Sequence, residues 1–80
     1  MISCEGYDYI EIACMHRLRL RLGLADGTSV EGTALDTTMT SERQEALLLE
    51  TQTGSIKVML TLIERIEALT KNQYFDDIKL

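Results

Sequence analysis

Proline is absent from these 80 residues, histidine occurs once and cysteine only twice. Without proline, every turn must rest on Gly, Asp, Asn or Ser to reach the backbone angles that turns require. A single histidine leaves no base and orienting partner for a nucleophile, and no glycine-rich phosphate loop is present. The sequence therefore reads as no enzyme, with no catalytic residues. Cys4 and Cys14 lack metal-ligand spacing, so they read as free, partly buried thiols in a reducing compartment, with neither metal nor cofactor expected. No stretch approaches the roughly 20 apolar residues of a membrane span, and no basic segment leads into an apolar run. The expectation is a cytoplasmic protein away from the membrane. Internal repeats, low-complexity tracts and linkers are also missing. Basic charge is scarce: 8 Lys and Arg stand against 13 Asp and Glu, a formal net charge of −5. Nucleic acid is a poor main partner for such a chain, because phosphate contacts need Lys and Arg on the binding face. A basic protein surface suits it better, since charge complementarity speeds encounter and fixes register. A chain of this length forms one domain, 1–80, that buries about 60 to 65 per cent of its unfolded surface. It has one modest core and no room for a deep cleft.

What is present begins with CEGYDYIEIACMHRLRLRLGL, residues 4–24. Tyr7, Ile10, Ala13 and Cys14 recur at spacings of three and four, which places them on one face of a helix over about 6–16. Glu5, Asp8 and Glu11 fall elsewhere on that helix. Glu5 sits at its start, where the macrodipole favours a carboxylate, and Asp8 and Glu11 are surface neighbours. The ordinary explanation of these acids is helix-start preference plus a solvated face; the sharper one is a cationic partner. His16 follows the helix and reads as a cap favoured by its C-terminal dipole.

The chain then alternates strictly. Leu18, Leu20, Leu22 and Leu24 point one way, and Arg17, Arg19, Arg21 and Gly23 the other, as in a half-buried strand. A three-residue loop, Asp26 to Thr28, with Gly27 at positive φ, sets Leu24 against Val30, Leu22 against Gly32 and Leu20 against Ala34. A two-residue loop would set Leu22 against Glu31 and turn a carboxylate toward the core. Beyond the second strand, Thr37 to Glu45 is polar and reads as a loop or a ragged strand end. Ala46 to Thr53 reads as a mostly buried strand, with a turn at Gly54, and Ser55 to Thr61 as a strand with Ile56, Val58 and Leu60 inward. Leu62 to Leu69 has helical spacing, yet Ile63 to Ala68 is taken as a short closing strand on the resemblance below. The tail, 70–80, carries Tyr74, Phe75 and Ile78 and is open between a docked segment and a mobile end.

Two resemblances rest on these residues. The run Cys4, Tyr7, Asp8, Ile10, Glu11, Ile12, Ala13, Cys14, leading into RLRLRLGLADG, resembles the Rho-binding antiterminator family known as Rof, over about residues 4–69. LADGTSVEGTALD, more broadly, resembles the first motif of Sm-like proteins. Together they imply a mainly β fold with one N-terminal helix: a small, Sm-like, strongly bent antiparallel barrel or sandwich of about five strands. The barrel spans about 17–69 and is followed by the tail. The Rof resemblance implies inhibition of transcription termination by binding the hexameric helicase Rho at its N-terminal primary RNA-binding region and blocking RNA loading. A primary RNA site is a basic groove with stacking surfaces, so its inhibitor should offer carboxylates in place of phosphates and an aromatic in place of a base. Glu5, Asp8 and Glu11 fill the first role, Tyr7 or Tyr9 the second, and Arg43 is a rim contact. A tyrosine on the apolar face of a helix is equally explained as a packed ring with its hydroxyl at the edge. The free protein is expected to be monomeric.

The alternative is an Sm-like RNA-binding module using Arg17, Arg19 and Arg21 as its phosphate face. Glu31 and other acids on adjoining strands can neutralise that stripe by cross-strand pairing, and the long stems can simply pack. Asp36 is followed by Thr37, Thr38 and Met39, which departs from the Sm-like RNA pocket.

Overall fold

The computed structural model describes residues 4–79, with side chains from Gly6 onward. The elements are α1 (Cys4–Met15), β1 (Arg19–Leu24), β2 (Ser29–Met39), β3 (Glu45–Thr51), β4 (Gly54–Met59), a single 3-10 turn (Leu60–Leu62), β5 (Ile63–Ala68) and β6 (Asp77–Lys79). All neighbouring strands run antiparallel in one sheet ordered β4, β3, β2, β1, β5, β6. The mainly β chain with one N-terminal helix is as expected, with six strands instead of about five.

α1 forms where Ile10 and Ala13 recur at helical spacing, and both are fully buried against the sheet. It stops at a compact cap. Arg17 takes the left-handed conformation at φ 52°, its N–H donates to the Cys14 carbonyl at 3.3 Å, and the Leu18 N–H donates to the Ala13 carbonyl at 2.9 Å. This paired closure of the last turn reverses the chain so sharply that Leu18 is already in core phase. Arg17 thus belongs to the helix cap and not to the strand. Glycine usually fills that position, and a side chain there costs roughly 1–2 kcal/mol.

Core phase continues through Leu20 and Leu22, both fully buried. The hairpin to β2 differs from expectation in register. Leu20 faces Gly32 and Leu22 faces Val30, two residues away from the expected pairing, so each side chain keeps its face. The loop does have three residues, but they are Ala25 to Gly27. The Gly27 N–H closes on the Leu24 carbonyl at 3.0 Å, and Gly27 itself, at φ 88°, is the last loop residue. Asp26 fixes this frame by accepting from the Thr28 hydroxyl at 2.6 Å and the Thr28 N–H at 2.9 Å. Both bonds hold its carboxyl below the usual range, the hydroxyl most.

Of the segment expected as a loop or a ragged strand end, 37–39 continues β2, because Thr37, Thr38 and Met39 pair with Leu47, Ala46 and Glu45, and 40–44 is the loop. A bulge between Ala34 and Asp36 allows this. Plain alternation from Gly32 and Ala34 would turn Asp36 into the core; the extra residue, Leu35, flips the phase and leaves Asp36 exposed. Gly32 permits the bend, since a Cβ there would lie 2.7 Å from the Glu50 carbonyl oxygen. The loop to β3 repeats the design of the first hairpin. Thr40 N–H meets the Gln44 carbonyl at 2.8 Å, Arg43 N–H meets the Thr40 carbonyl at 2.9 Å, and Arg43 occupies the left-handed position at φ 62°.

In β3, Ala46, Leu47 and Leu49 are fully buried, as expected. The strand ends at Thr51, which pairs with Gly54, so Gln52 and Thr53 form the turn. Ile56 was expected inward but is 36% exposed, because the core side of β4 closes only at Val58. Leu60 is buried, as expected, although it lies in the 3-10 turn. β5 is the strand expected over 63–68.

The tail is docked. β6 pairs with β5 through Arg65 and Lys79, Ile66 and Ile78, and Glu67 and Asp77, and Arg65 grips the Asp77 carboxylate, with Nε to Oδ1 at 2.7 Å. Asn72 shapes the approach, its Oδ1 accepting from Tyr74 N–H at 2.8 Å and Phe75 N–H at 3.1 Å. Burial dominates the energetics. Each large core side chain contributes about 1.5–3 kcal/mol, whereas Arg21, paired to Glu31 at 3.1 Å and Glu67 at 3.2 Å with all three side chains 43–44% exposed, gains about 0.2–1 kcal/mol per pair. The leucine face holds β1 in place.

Candidate protein-binding surface

Packing of α1 sorts its polar residues. Asp8 and Glu11 are exposed, while Tyr7 and Tyr9 are half-buried and packed against the core cluster. The Tyr9 ring meets Phe75 edge-on, with centroids 5.4 Å apart. The Tyr7 hydroxyl lies beside Glu45 and Thr37, and its pKa is raised, first by the Glu45 carboxylate. Both rings thus pack on the fold while part of each stays exposed. The side chain of Glu5 lies outside the described residues. Arg43 is exposed at the tip of the β2–β3 loop.

The structure also adds residues that helical spacing could not reveal. A hollow beside the C-terminal half of α1 is lined by Glu11, Cys14, Met15, Arg17, Asp36 and Thr37, together with Leu35. A second hollow, sharing Thr37, is lined by Tyr7, Thr38, Met39 and Glu45. They run along the seam between α1 and β2, so Asp36 and Glu45 join the acids of the helix. The bulge at Leu35 delivers Asp36, and its only trace in the sequence is an aspartate at a position that alternation would bury. Met15 and Met39, 75% and 54% exposed, add apolar surface.

The field in this seam is felt by Cys14. Its thiol is pushed up to about 11, first by burial and then by Asp36 and Glu11, against the opposing Arg17. At pH 8 this lowers the thiolate fraction about 100-fold relative to an ordinary cysteine, while the stronger nucleophilicity of a high-pKa thiolate returns about tenfold. The expected result is alkylation of Cys14 about tenfold slower than in the unfolded chain, read by peptide mapping after an iodoacetamide time course. Cys14 is a free thiol. Cys4 stands ten residues earlier on the same helix, about 15 Å away along its axis, beyond disulfide reach.

The arginine stripe does not survive as one face. Arg17 is drawn into the helix cap and Arg21 is held between Glu31 and Glu67, the cross-strand neutralisation expected. Arg19 has its backbone tied to the Thr70 hydroxyl at 3.0 Å. The His16 ring stacks on Tyr74 at 4.7 Å, joining the cap to the tail. Among the described residues no group of three His, Cys, Asp or Glu side chains is placed to hold a metal ion, and no helix is long and apolar enough to cross a membrane.

Comparison with known proteins adds a lineage to this geometry. The family model described as "Modulator of Rho-dependent transcription termination (ROF)" matches residues 1–80. Protein rof of Escherichia coli (strain K12) and Protein rof of Shigella flexneri are each 46% identical to the chain over 35 residues, 44% of this chain and 42% of each relative. The chain thus aligns with less than half the length of these curated relatives. The solved structure of YaeO bound to magnesium from Vibrio cholerae O395 superposes with a TM-score of 0.89 at 31% identity, covering 92% of this chain and 96% of that one.

Proposed function

Because the chain belongs to the family of modulators of Rho-dependent transcription termination, we propose that it inhibits termination by binding Rho at its N-terminal primary RNA-binding region and keeping RNA from loading. The observation that carries this is the outward pair Asp8 and Glu11 on a helix whose opposite face is anchored by Ile10 and Ala13. A rigid carboxylate edge suits a groove built to hold phosphates, and its preorganisation keeps the ordering cost of binding low. Glu45 and Asp36 extend the same negative surface, and Arg43 borders it. The net charge of −5 supports encounter with a basic protein surface and disfavours direct RNA contact. The proposed setting is the cytoplasm, with the free protein a monomer that acts without a catalytic step and needs no metal.

The test is a competition titration of purified Rho and labelled pyrimidine-rich RNA against this protein at two salt concentrations, with labelled RNA alone as the control. Release of RNA from Rho, weaker at high salt because exposed charges are screened, with no binding of the protein to RNA itself, is the expected result. Direct binding to RNA with no effect on Rho overturns the proposal and favours the RNA-binding module.

A further inference from the structure

The non-glycine residues at positive φ among those described are Arg17 and Arg43, at 52° and 62°. Both stand where the local motif ordinarily takes glycine, at a helix cap and at the last residue of a three-residue hairpin loop. Gly27 fills the equivalent place in the first hairpin, at φ 88°. Both arginines are exposed, and neither makes an ion pair among the described residues, where Arg21 and Arg65 do. Arg17 lines the same hollow as Glu11 and Asp36; Arg43 precedes Glu45, which lines the adjoining one. Strain held at exposed residues that bracket one surface points to what their side chains do beyond the fold.

We propose that Arg17 is a partner-binding residue whose guanidinium stacks on an aromatic side chain of the Rho surface, with Arg43 as its counterpart on the loop. This rests on the reading that Rho offers a single-strand RNA-binding surface. Such surfaces combine cationic groups for phosphates with aromatic platforms for bases. Asp8 and Glu11 answer the cationic groups. The tyrosines offer the platforms only part of their rings, because Tyr7 packs on the core beside Glu45 and Tyr9 packs edge-on against Phe75. The Arg17 guanidinium is an exposed flat group on this surface, and it lies plane-on-plane against an aromatic face, which the point charge of an ammonium does not.

The experiment compares Arg17→Gly, Arg17→Lys and Asp8→Lys with the parent for binding to purified Rho and for thermal unfolding. Arg17→Gly is expected to melt at or above the parent temperature, since glycine relieves the left-handed backbone, yet to bind Rho about tenfold more weakly. Arg17→Lys restores the charge without the flat face and recovers only part of that loss, binding about threefold more weakly than the parent. Parent-like affinity of Arg17→Gly, or full recovery in Arg17→Lys, overturns the assignment. If either occurs while Asp8→Lys still loses binding, the inhibitor reading stands and the stacking role alone is lost; if Asp8→Lys also binds like the parent, both fall. Weaker binding of Arg17→Gly to labelled RNA in the absence of Rho assigns Arg17 to RNA and overturns the proposal.

Discussion

Phe75→Ala is expected to lower stability by about 3 kcal/mol, a loss on the order of 15 °C in Tm for a chain of this size. Phe75 is 8% exposed and meets Tyr9 edge-on, so the truncation removes both buried ring area and an aromatic pair. It also loosens the buried apolar anchor between the Asn72 turn and β6, a segment held besides by the His16–Tyr74 stack, the Arg65–Asp77 ion pair and the partly buried Ile78. The ion pair is surface-exposed and cannot compensate. Thermal unfolding by circular dichroism reads the loss, and hydrogen exchange at the β5 and β6 amides reads its local part. An unchanged Tm would mean that the tail adds nothing to the core. Phe75→Leu, which keeps most of the apolar volume, should recover more than half of the deficit.

That anchor marks the limit of reading this fold from sequence. Period-two alternation from Leu18 to Leu22, and helical spacing of Ile10 and Ala13, reported the burial of those residues correctly, because each element there is regular and has one solvent face. Where regularity breaks, the signal fades. The hairpin register moved by two residues because Asp26 fixes the turn through its own hydrogen bonds to Thr28, and side-chain alternation is blind to shifts of two. Asp36 looked like the end of a strand, but the bulge at Leu35 carries β2 on to Met39. Thr37 and Thr38 are β-branched, which suits the pleated ladder they join. Ile56 obeys alternation and is exposed because β4 lies at the edge of the sheet. The tail carries too few residues for any period, so its docking depends on Tyr74 and Phe75 meeting His16 and Tyr9 far away in the chain, with Asn72 shaping the turn locally.

The candidate surface divides in the same way. Asp8 and Glu11 were legible, since three-residue spacing on a helix makes them neighbours and the apolar stripe leaves them outside. Tyr7 and Tyr9 were ambiguous by nature: an amphipathic ring serves a core edge and a binding face equally. The structure adds their neighbours, Glu45 beside Tyr7 and Phe75 against Tyr9. Glu45 and Asp36 join the surface through sheet register, which no local pattern encodes. Arg17 keeps step with Arg19 and Arg21 in the sequence, and nothing in composition announces a left-handed cap filled by arginine.

Asp8→Lys should bind Rho at least about 30-fold more weakly than the parent, about 2 kcal/mol, while folding normally. Asp8 is exposed, and it is the fifth residue of α1, past the first turn where the helix dipole would penalise a lysine. A lysine here also stands three residues from Glu11, an attractive spacing, so the melting temperature should stay close to the parent value. Against a basic groove, the reversal removes one attraction and adds one repulsion. A single pair of charges about 4 Å apart near a protein surface is worth up to about 4 kcal/mol, and partial solvation brings the net change down toward half of that. The deficit should therefore shrink as salt rises, whereas a deficit from misfolding would not. Asp8→Asn, which removes the charge without reversing it, should fall between the two. Isothermal titration of Rho with the three proteins at low and high salt measures all of this at once, and a folded Asp8→Lys with parent affinity would take the interface off α1.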